Sequence, residues 1–497
     1  MAKAITPPFH PIIYVRGYAM TPGEIAATVA EPYMGFNLGS TKVRQTWDGK
    51  VSRHIFESPL VRLMKEYDYR DIYANGTEIV GRIPSRSLVI YRYYEIADTD
   101  LGTGKALSIK EAAKGLRELI HSIREQVCGD EKPSRESFRV HLVAHSMGGL
   151  VCRCLLQNDD IRTAEDRRMV GRVFTYATPH NGIETLGFNV PSVLELWDIN
   201  NFNRKEMAKY LGLPPKSDRV DSLAGKFDPD RFFCFVGTNH RDYEVALGIA
   251  RRLANEMSDG LVRIENATVQ GSPRSFAFRS HSGPYGVVNS EEGYQNLVRF
   301  LFGDVRVDGI LDVHQLPLPP TVQKAHDKGT KIRASYYLEA TVAPRGAFTF
   351  RLSERRRDTF CAMLRKFDEL VPSKNSKDKP HSPVLFSAFL DSSRITSGNS
   401  IVFSVDLAVS TTGYEIDDVL FLKKHIEGEY LYRNTLAVKA TRNRDQWSIR
   451  YALTDKEWSE EAGTLAVQTD EGFVIPITSE KGFRADLRLR VSKQTAD

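Results

Sequence analysis

The residues best suited to chemistry gather around Ser146, in the run Ala144-His145-Ser146-Met147-Gly148-Gly149. An apolar segment, Val140-His141-Leu142-Val143, precedes it, and a helix-compatible run, Leu150–Leu156, follows. A serine between a strand and a helix sits on a sharp turn, where the positions two before and two after it must be small. Ala144 and Gly148 meet that condition, which makes this the alanine form of G-x-S-x-G. The turn lifts Oγ clear of the sheet. It also brings the first N–H groups of the helix, chiefly that of Met147, to where an oxyanion would develop. The chemistry implied is attack on an acyl carbon, which further requires a base, an acid to orient it and a second oxyanion donor.

His281 is the candidate base. It lies in Arg279-Ser280-His281-Ser282-Gly283-Pro284, after the expected strand Ser275–Phe278, at the strand end where open α/β sheets place their chemistry. Asp259, in Ser258-Asp259-Gly260-Leu261-Val262, is the candidate acid, 22 residues earlier (281 − 259), which leaves room for one strand between them. Asp242 competes, being closer to the end of the preceding strand, and Asp-Gly is also an ordinary turn dipeptide. The second oxyanion donor is expected from the N–H of Tyr18, in the loop Tyr14–Met20, where Gly17 permits close backbone approach. His180, in Thr178-Pro179-His180-Asn181-Gly182, comes early for a base and is expected to shape its own loop.

These residues need a scaffold, and residues 1–302 alternate strand and helix patterns in the manner of a mostly parallel sheet covered by helices. The expected strands are Pro11–Val15, Ser87–Tyr94, Phe138–Ala144, Val173–Ala177, Phe232–Gly237 and Ser275–Phe278. The expected helices are Ile109–Gln126, Gly148–Gln157, Glu244–Glu256 and Glu291–Phe302. Helical spacing places Ile109, Ala112, Leu116, Leu119 and Ile123 on one face of the first. Residues 183–229 interrupt the alternation and read as a cap, either a mobile lid over a substrate groove or a fixed subdomain. The catalytic domain is thus expected over 1–305, a Pro-rich linker over 306–328 and an all-β sandwich over 329–497. The sandwich rests on period-two runs such as Phe403/Val405/Leu407/Val409 and Leu487/Leu489/Val491.

Composition sets outer bounds. With 497 residues the chain exceeds one ordinary core. Its 41% hydrophobic and 26% charged residues are typical of folded globular domains. A net charge of +5, with no basic stripe carrying interleaved aromatics, gives no reason to expect nucleic acid as a partner. The cysteines Cys128, Cys152, Cys154, Cys234 and Cys361 lack metal-ligand spacing and suggest reduced thiols. The beginning MAKAITPPFHPIIYV lacks a signal-like apolar run, and no stretch reaches the length of a membrane span. A cytoplasmic protein is the expectation, with non-classical export as the alternative. Neither metal nor cofactor is called for.

Taken together, the motifs resemble the lipase branch of the α/β-hydrolase superfamily over about residues 10–302. PIIYVRGYAM resembles its oxyanion loop, AHSMGG its nucleophile motif, ATPHNG its Gly-Thr-Pro-His-x-Gly motif, and SDGLV followed by a loop histidine its acid and base. The chain order Ser146, Asp259, His281 is also that of the fold. Two positions depart: Arg16 stands where the family usually has histidine, and Ala177 where it usually has glycine. The resemblance implies an α/β-hydrolase fold with a cap, and carboxylic-ester hydrolysis of acyl lipids in the manner of a lipase or phospholipase. Acyltransferase or thioesterase chemistry on the same triad is the alternative, as is a non-catalytic scaffold. The sandwich lies outside the resemblance; peripheral membrane or protein contact is its expected role, by analogy with other two-domain lipases.

Overall fold

The structure, a computed structural model, describes the chain apart from residues 1–5, 18–25, 27, 30–32, 34, 37–43, 46–48, 53–56, 75–76, 79–80, 98–106, 184–201, 241–256, 284, 331, 346, 348–349, 360, 372–380, 396–398, 417–423, 444–445, 454–462 and 495–497. Tyr18, Asp242, the expected helix Glu244–Glu256 and most of the first part of the cap lie outside the described residues. The chain divides into two units, one built mainly from residues 1–302, the other from 303–495 together with 275–277.

Seven strands make the main sheet of the first part of the chain: β1 (Ile12–Val15), β2 (Arg70–Asp71), β3 (Ser87–Tyr91), β4 (Val140–His145), β5 (Val170–Tyr176), β6 (Phe232–Gly237) and β7 (Arg274–Ala277). Their order is β7-β6-β5-β4-β1-β3-β2. β1 pairs in parallel with β3 and β4, β4 with β5, β5 with β6, and β2 with β3. Every residue of β1, β3, β4, β5 and β6 is buried. Strands covered on both faces must read as continuous apolar runs, which is why these were legible. The topology is that of an α/β-hydrolase fold.

Parallel neighbours require crossovers, and helices supply them. They are α1 (Pro59–Tyr67), α2 (Ile109–Cys128), α3 (Gly148–Gln157), α4 (Arg204–Tyr210) and α5 (Glu291–Phe302). A reciprocal capping box between Ser108 and Glu111 starts α2, satisfying N–H groups that the first turn leaves open. Its buried face is Ile109, Ala112, Ala113, Leu116, Ile120, Ile123 and Val127. Ile120 takes the place expected for Leu119, because a period of 3.6 drifts relative to the 3–4 spacing read from the sequence. At the far end of the unit, buried Arg172 on β5 donates to the carbonyls of Phe300 and Leu301 (2.7 and 2.8 Å) and closes the last turn of α5.

The described part of the expected cap, residues 202–229, packs and hydrogen-bonds against α3. Met207, Ala208, Leu211 and Val220 are almost fully buried. Arg153, in the middle of α3 and 0% exposed, donates to the carbonyls of Val220 and Ser222 (2.7 and 2.9 Å), to that of His180 (2.7 Å) and to Gln157 Oε1 (2.8 Å). Asn158 Nδ2 and Cys154 Sγ both bond the Tyr210 carbonyl at 3.0 Å. For these residues the geometry is that of a docked subdomain.

The second unit is all-β. Its longer strands are β8 (Val305–Gln315), β9 (Ile332–Pro344), β10 (Val384–Leu390), β11 (Ser400–Ile416), β12 (Tyr430–Asn443), β13 (Gln446–Leu453), β14 (Gly472–Thr478) and β15 (Arg484–Lys493). One sheet runs β10-β8-β15-β14 and ends on Val467–Thr469; the other runs Ser353–Arg355, β9, β11, β12, β13 and Thr464–Leu465. The described strands of this unit pair antiparallel, as between β9 and β11 or β8 and β15. Both sheets feed one core, including Leu311, Tyr336, Val405, Leu407, Val409, Leu487 and Leu489.

The linker expected over 306–328 is not one. Residues 306–315 are β8, buried on both faces for most of its length. Buried Arg306 and Asp308 disguise the alternation of Val305, Val307, Leu311 and Val313, and opposite Gly309 and Ile310 the neighbouring β10 carries one extra residue. The charges are tolerated because they are paired: Asp308 meets Arg306 (3.1 Å), Arg490 (2.8 Å) and Ser387 Oγ (2.6 Å). Helix α6 (Pro320–Asp327) follows, opened by proline in its first turn, so only residues 316–319 form a connection.

Candidate active site

Ser146 occupies a single left-handed residue, φ +53°, between β4 and α3. A non-glycine residue there is strained, a cost of order 1 kcal/mol that its surroundings must impose. They do so through two bonds from β5 and its loop. Ser146 N–H donates to the Tyr176 carbonyl (2.9 Å), and Thr178 Oγ1 donates to the Ser146 carbonyl (2.8 Å). The crowding that demands small residues is explicit. A Cβ on Gly148 would lie 2.2 Å from the Val15 carbonyl oxygen, and one on Gly17 would lie 2.4 Å from Ser146 Cβ. β1 and its loop therefore pass directly over the turn, as an oxyanion loop must.

Three distant segments converge on this serine. His281 Nε2 is 3.0 Å from Ser146 Oγ, and His281 Nδ1 is 2.8 Å from Asp259 Oδ2. All three side chains are buried: Ser146 is 6% exposed, Asp259 1% and His281 3%. The Asp259 turn is real and serves the contact. Its Oδ1 accepts from the N–H groups of Leu261 (3.0 Å) and Val262 (2.7 Å), and Gly260 takes φ +101°. One carboxylate oxygen is thus fixed by the backbone and the other is left to face the imidazole. In the loop of His281, its N–H donates to the Asp259 carbonyl (2.9 Å), and Arg279 pairs with Glu292 (3.1 Å) in the first turn of α5.

Met147 is the N-cap of α3, so its N–H is among those a helix cannot satisfy internally. Arg16 directly follows β1. Its guanidinium lies against Gly35, where a Cβ would come within 2.6 Å of Nη1, and 5.9 Å from the centre of the Phe36 ring. Ala177 has φ +48°, a conformation for which glycine is the easier residue. His180 is fully buried, with Nε2 3.1 Å from Thr175 Oγ1. Burial, reinforced by Arg153, holds its pKa well below the ordinary value. It shapes the loop after β5. No group of three or more His, Cys, Asp or Glu among the described residues is placed to hold a metal ion.

Sequence reasoning passed over His145 and Arg153. His145 was only the variable position of the motif, yet its Nε2 lies 2.9 Å from the His281 carbonyl. Arg153 was visible as a charge within an apolar helical run, a signal that it needs buried acceptors.

Residues 96–209 match the family described as PGAP1-like alpha/beta domain. The match includes Ser146 and the loop of His180 but ends before Asp259 and His281. No curated protein matches the chain. Among solved structures, phospholipase PlaB from Legionella pneumophila aligns at 11% identity and a TM-score of 0.34, covering 80% of this chain and 86% of that one. A gene product of Listeria innocua aligns at 11% identity and a TM-score of 0.28, covering 59% of this chain and 93% of that one. At such scores neither likeness bears on activity. The sheet order and the elbow are those of an α/β-hydrolase fold, and within it residues 96–209 are similar to the PGAP1-like alpha/beta domain.

Proposed function

We propose that the chain is a serine carboxylic-ester hydrolase acting on acyl lipids, with Ser146 as nucleophile, His281 as base and Asp259 as the acid that orients it. The observation carrying this reading is the buried relay Asp259–His281–Ser146, at 2.8 and 3.0 Å. Ser146 Oγ attacks the ester carbonyl while its proton passes to His281 Nε2. Asp259 Oδ2 stabilises the imidazolium through Nδ1–H. The N–H of Met147, with that of Tyr18 from the loop after β1, receives the oxyanion. Collapse sends the proton from His281 to the departing alcohol and leaves an acyl-Ser146 ester. Water, deprotonated by His281, then attacks that ester, releasing the carboxylic acid and restoring the serine.

The acyl-lipid class draws its support from the four lipase-like motifs. The test is labelling by a fluorophosphonate probe, together with hydrolysis of p-nitrophenyl butyrate. Wild type is expected to label and hydrolyse, and folded Ser146→Ala to do neither. Hydrolysis that persists in the variant would remove Ser146 from the mechanism. Product analysis with an added alcohol separates a hydrolase from a transferase, since only the latter favours alcohol over water.

A further inference from the structure

We infer that His145 is a positioning residue for His281, holding the base's loop against the nucleophile elbow by donating its Nε2–H to the His281 carbonyl. This rests on the triad reading above and extends it to a residue that touches no reacting atom. The His281 main chain is gripped on both sides. Its N–H goes to the Asp259 carbonyl at 2.9 Å, and its carbonyl receives His145 Nε2 at 2.9 Å. The first grip comes from the acid's residue, the second from the residue before the nucleophile. The acid's own carbonyl and the residue next to the nucleophile thus both fix the base's backbone.

The chemistry allows only this arrangement. A carbonyl accepts, so Nε2 must carry the proton. Among the described residues His145 Nδ1, which is buried, has no hydrogen-bond partner, which suits a bare nitrogen in the neutral ring and would strand an N–H in the charged one. Burial, with His281 and Arg16 nearby, holds the His145 pKa well below its ordinary value, in keeping with a neutral ring. The His145 and His281 rings lie 5.1 Å apart at 48°, so the contact also blocks sideways movement of the base. The loop it restrains contains Gly283 at φ +86° and Gly286, residues that offer little stiffness of their own.

The experiment compares His145→Phe, which keeps a flat ring without a donor, with His145→Gln, whose amide N–H reaches the Nε2 position. For p-nitrophenyl butyrate, His145→Phe is expected to lower kcat at least about tenfold with KM within about twofold, since small misplacement of a catalytic group costs rate rather than binding. His145→Gln is expected to return most of that loss, and fluorophosphonate labelling rates to follow kcat. Amide hydrogen exchange over residues 280–287 should rise in the Phe variant and stay near wild type in the Gln variant. A folded His145→Phe with wild-type kcat and exchange would overturn the inference. So would a Gln variant as impaired as Phe, which would assign His145 to packing. If wild type itself fails to label, the hydrolase reading falls alone, and the exchange data still decide the role of His145.

Discussion

At the residue scale, the site depends on which oxygen of Asp259 does what. Oδ1 is consumed by two backbone N–H groups of its own turn, so Oδ2 is presented in one orientation. Asp259→Asn keeps the size and much of the turn but places a neutral amide against His281 Nδ1. If Asp259 orients the base, the change is expected to lower kcat by roughly four orders of magnitude while leaving the fold intact, as loss of the orienting carboxylate does in serine-protease triads. Steady-state kinetics on a short ester, beside a circular dichroism spectrum, checks this. A loss below tenfold would transfer the acid's role to another residue, with Asp242 first to be tried. The Asp-Gly turn and the proposed role of Asp259 as acid are compatible, since the turn occupies Oδ1 and leaves Oδ2 beside His281 Nδ1.

At the element scale, α3 is more than the helix behind the nucleophile. It supplies Met147 at its start and, through Arg153, anchors both the His180 loop and the segment 220–222. Burial lowers the Arg153 pKa to about 10, so it stays charged at neutral pH and its donors remain committed. Arg153→Leu would strand the buried carbonyls of His180 and Val220, while that of Ser222 keeps its bond from Gln157 Nε2 (2.9 Å). The expected cost is roughly 3–5 kcal/mol, the range for breaking a buried charged network from one side. A chemical-denaturation curve for the full chain reads it as a lowered midpoint of the transition involving the first unit. A midpoint within error of wild type would mean that the cap is held by its apolar contacts instead.

At the scale of the whole molecule, several histidines are buried in neutral form. Burial lowers His10 from its ordinary 6.5 to about 4, and holds His141, His145 and His180 well below that ordinary value. As pH falls below 6.5 the unfolded chain takes up protons that the folded chain refuses, so folding loses stability. The loss begins near pH 6.5 and, for His10, continues until about pH 4; above 6.5 it is absent. Each such histidine contributes at most about 1.4 kcal/mol per pH unit within its window. Urea midpoints should therefore fall steeply from pH 7 to pH 5. A flat profile over that interval would show that these rings are accessible to protons in the folded state.

What the sequence by itself determined about this protein was the elbow, the order Ser146, Asp259, His281, the main strands flanking them, and the two-part layout. Each is enforced over a few covalent neighbours: a left-handed residue between a strand and a helix needs small flanks, and a doubly covered strand needs an apolar run. The tertiary structure alone decided the partners of buried polar groups. His145 meets a carbonyl 136 positions away and Arg153 one 67 positions away, and no local pattern carries such distances. The same limit turned β8 into an expected linker. Its buried Arg306 and Asp308 looked like surface until Ser387 and Arg490, far along the chain, arrived to neutralise and bond them. A charge inside a strand reads as exposed whenever the groups that make its burial affordable lie elsewhere in the sequence.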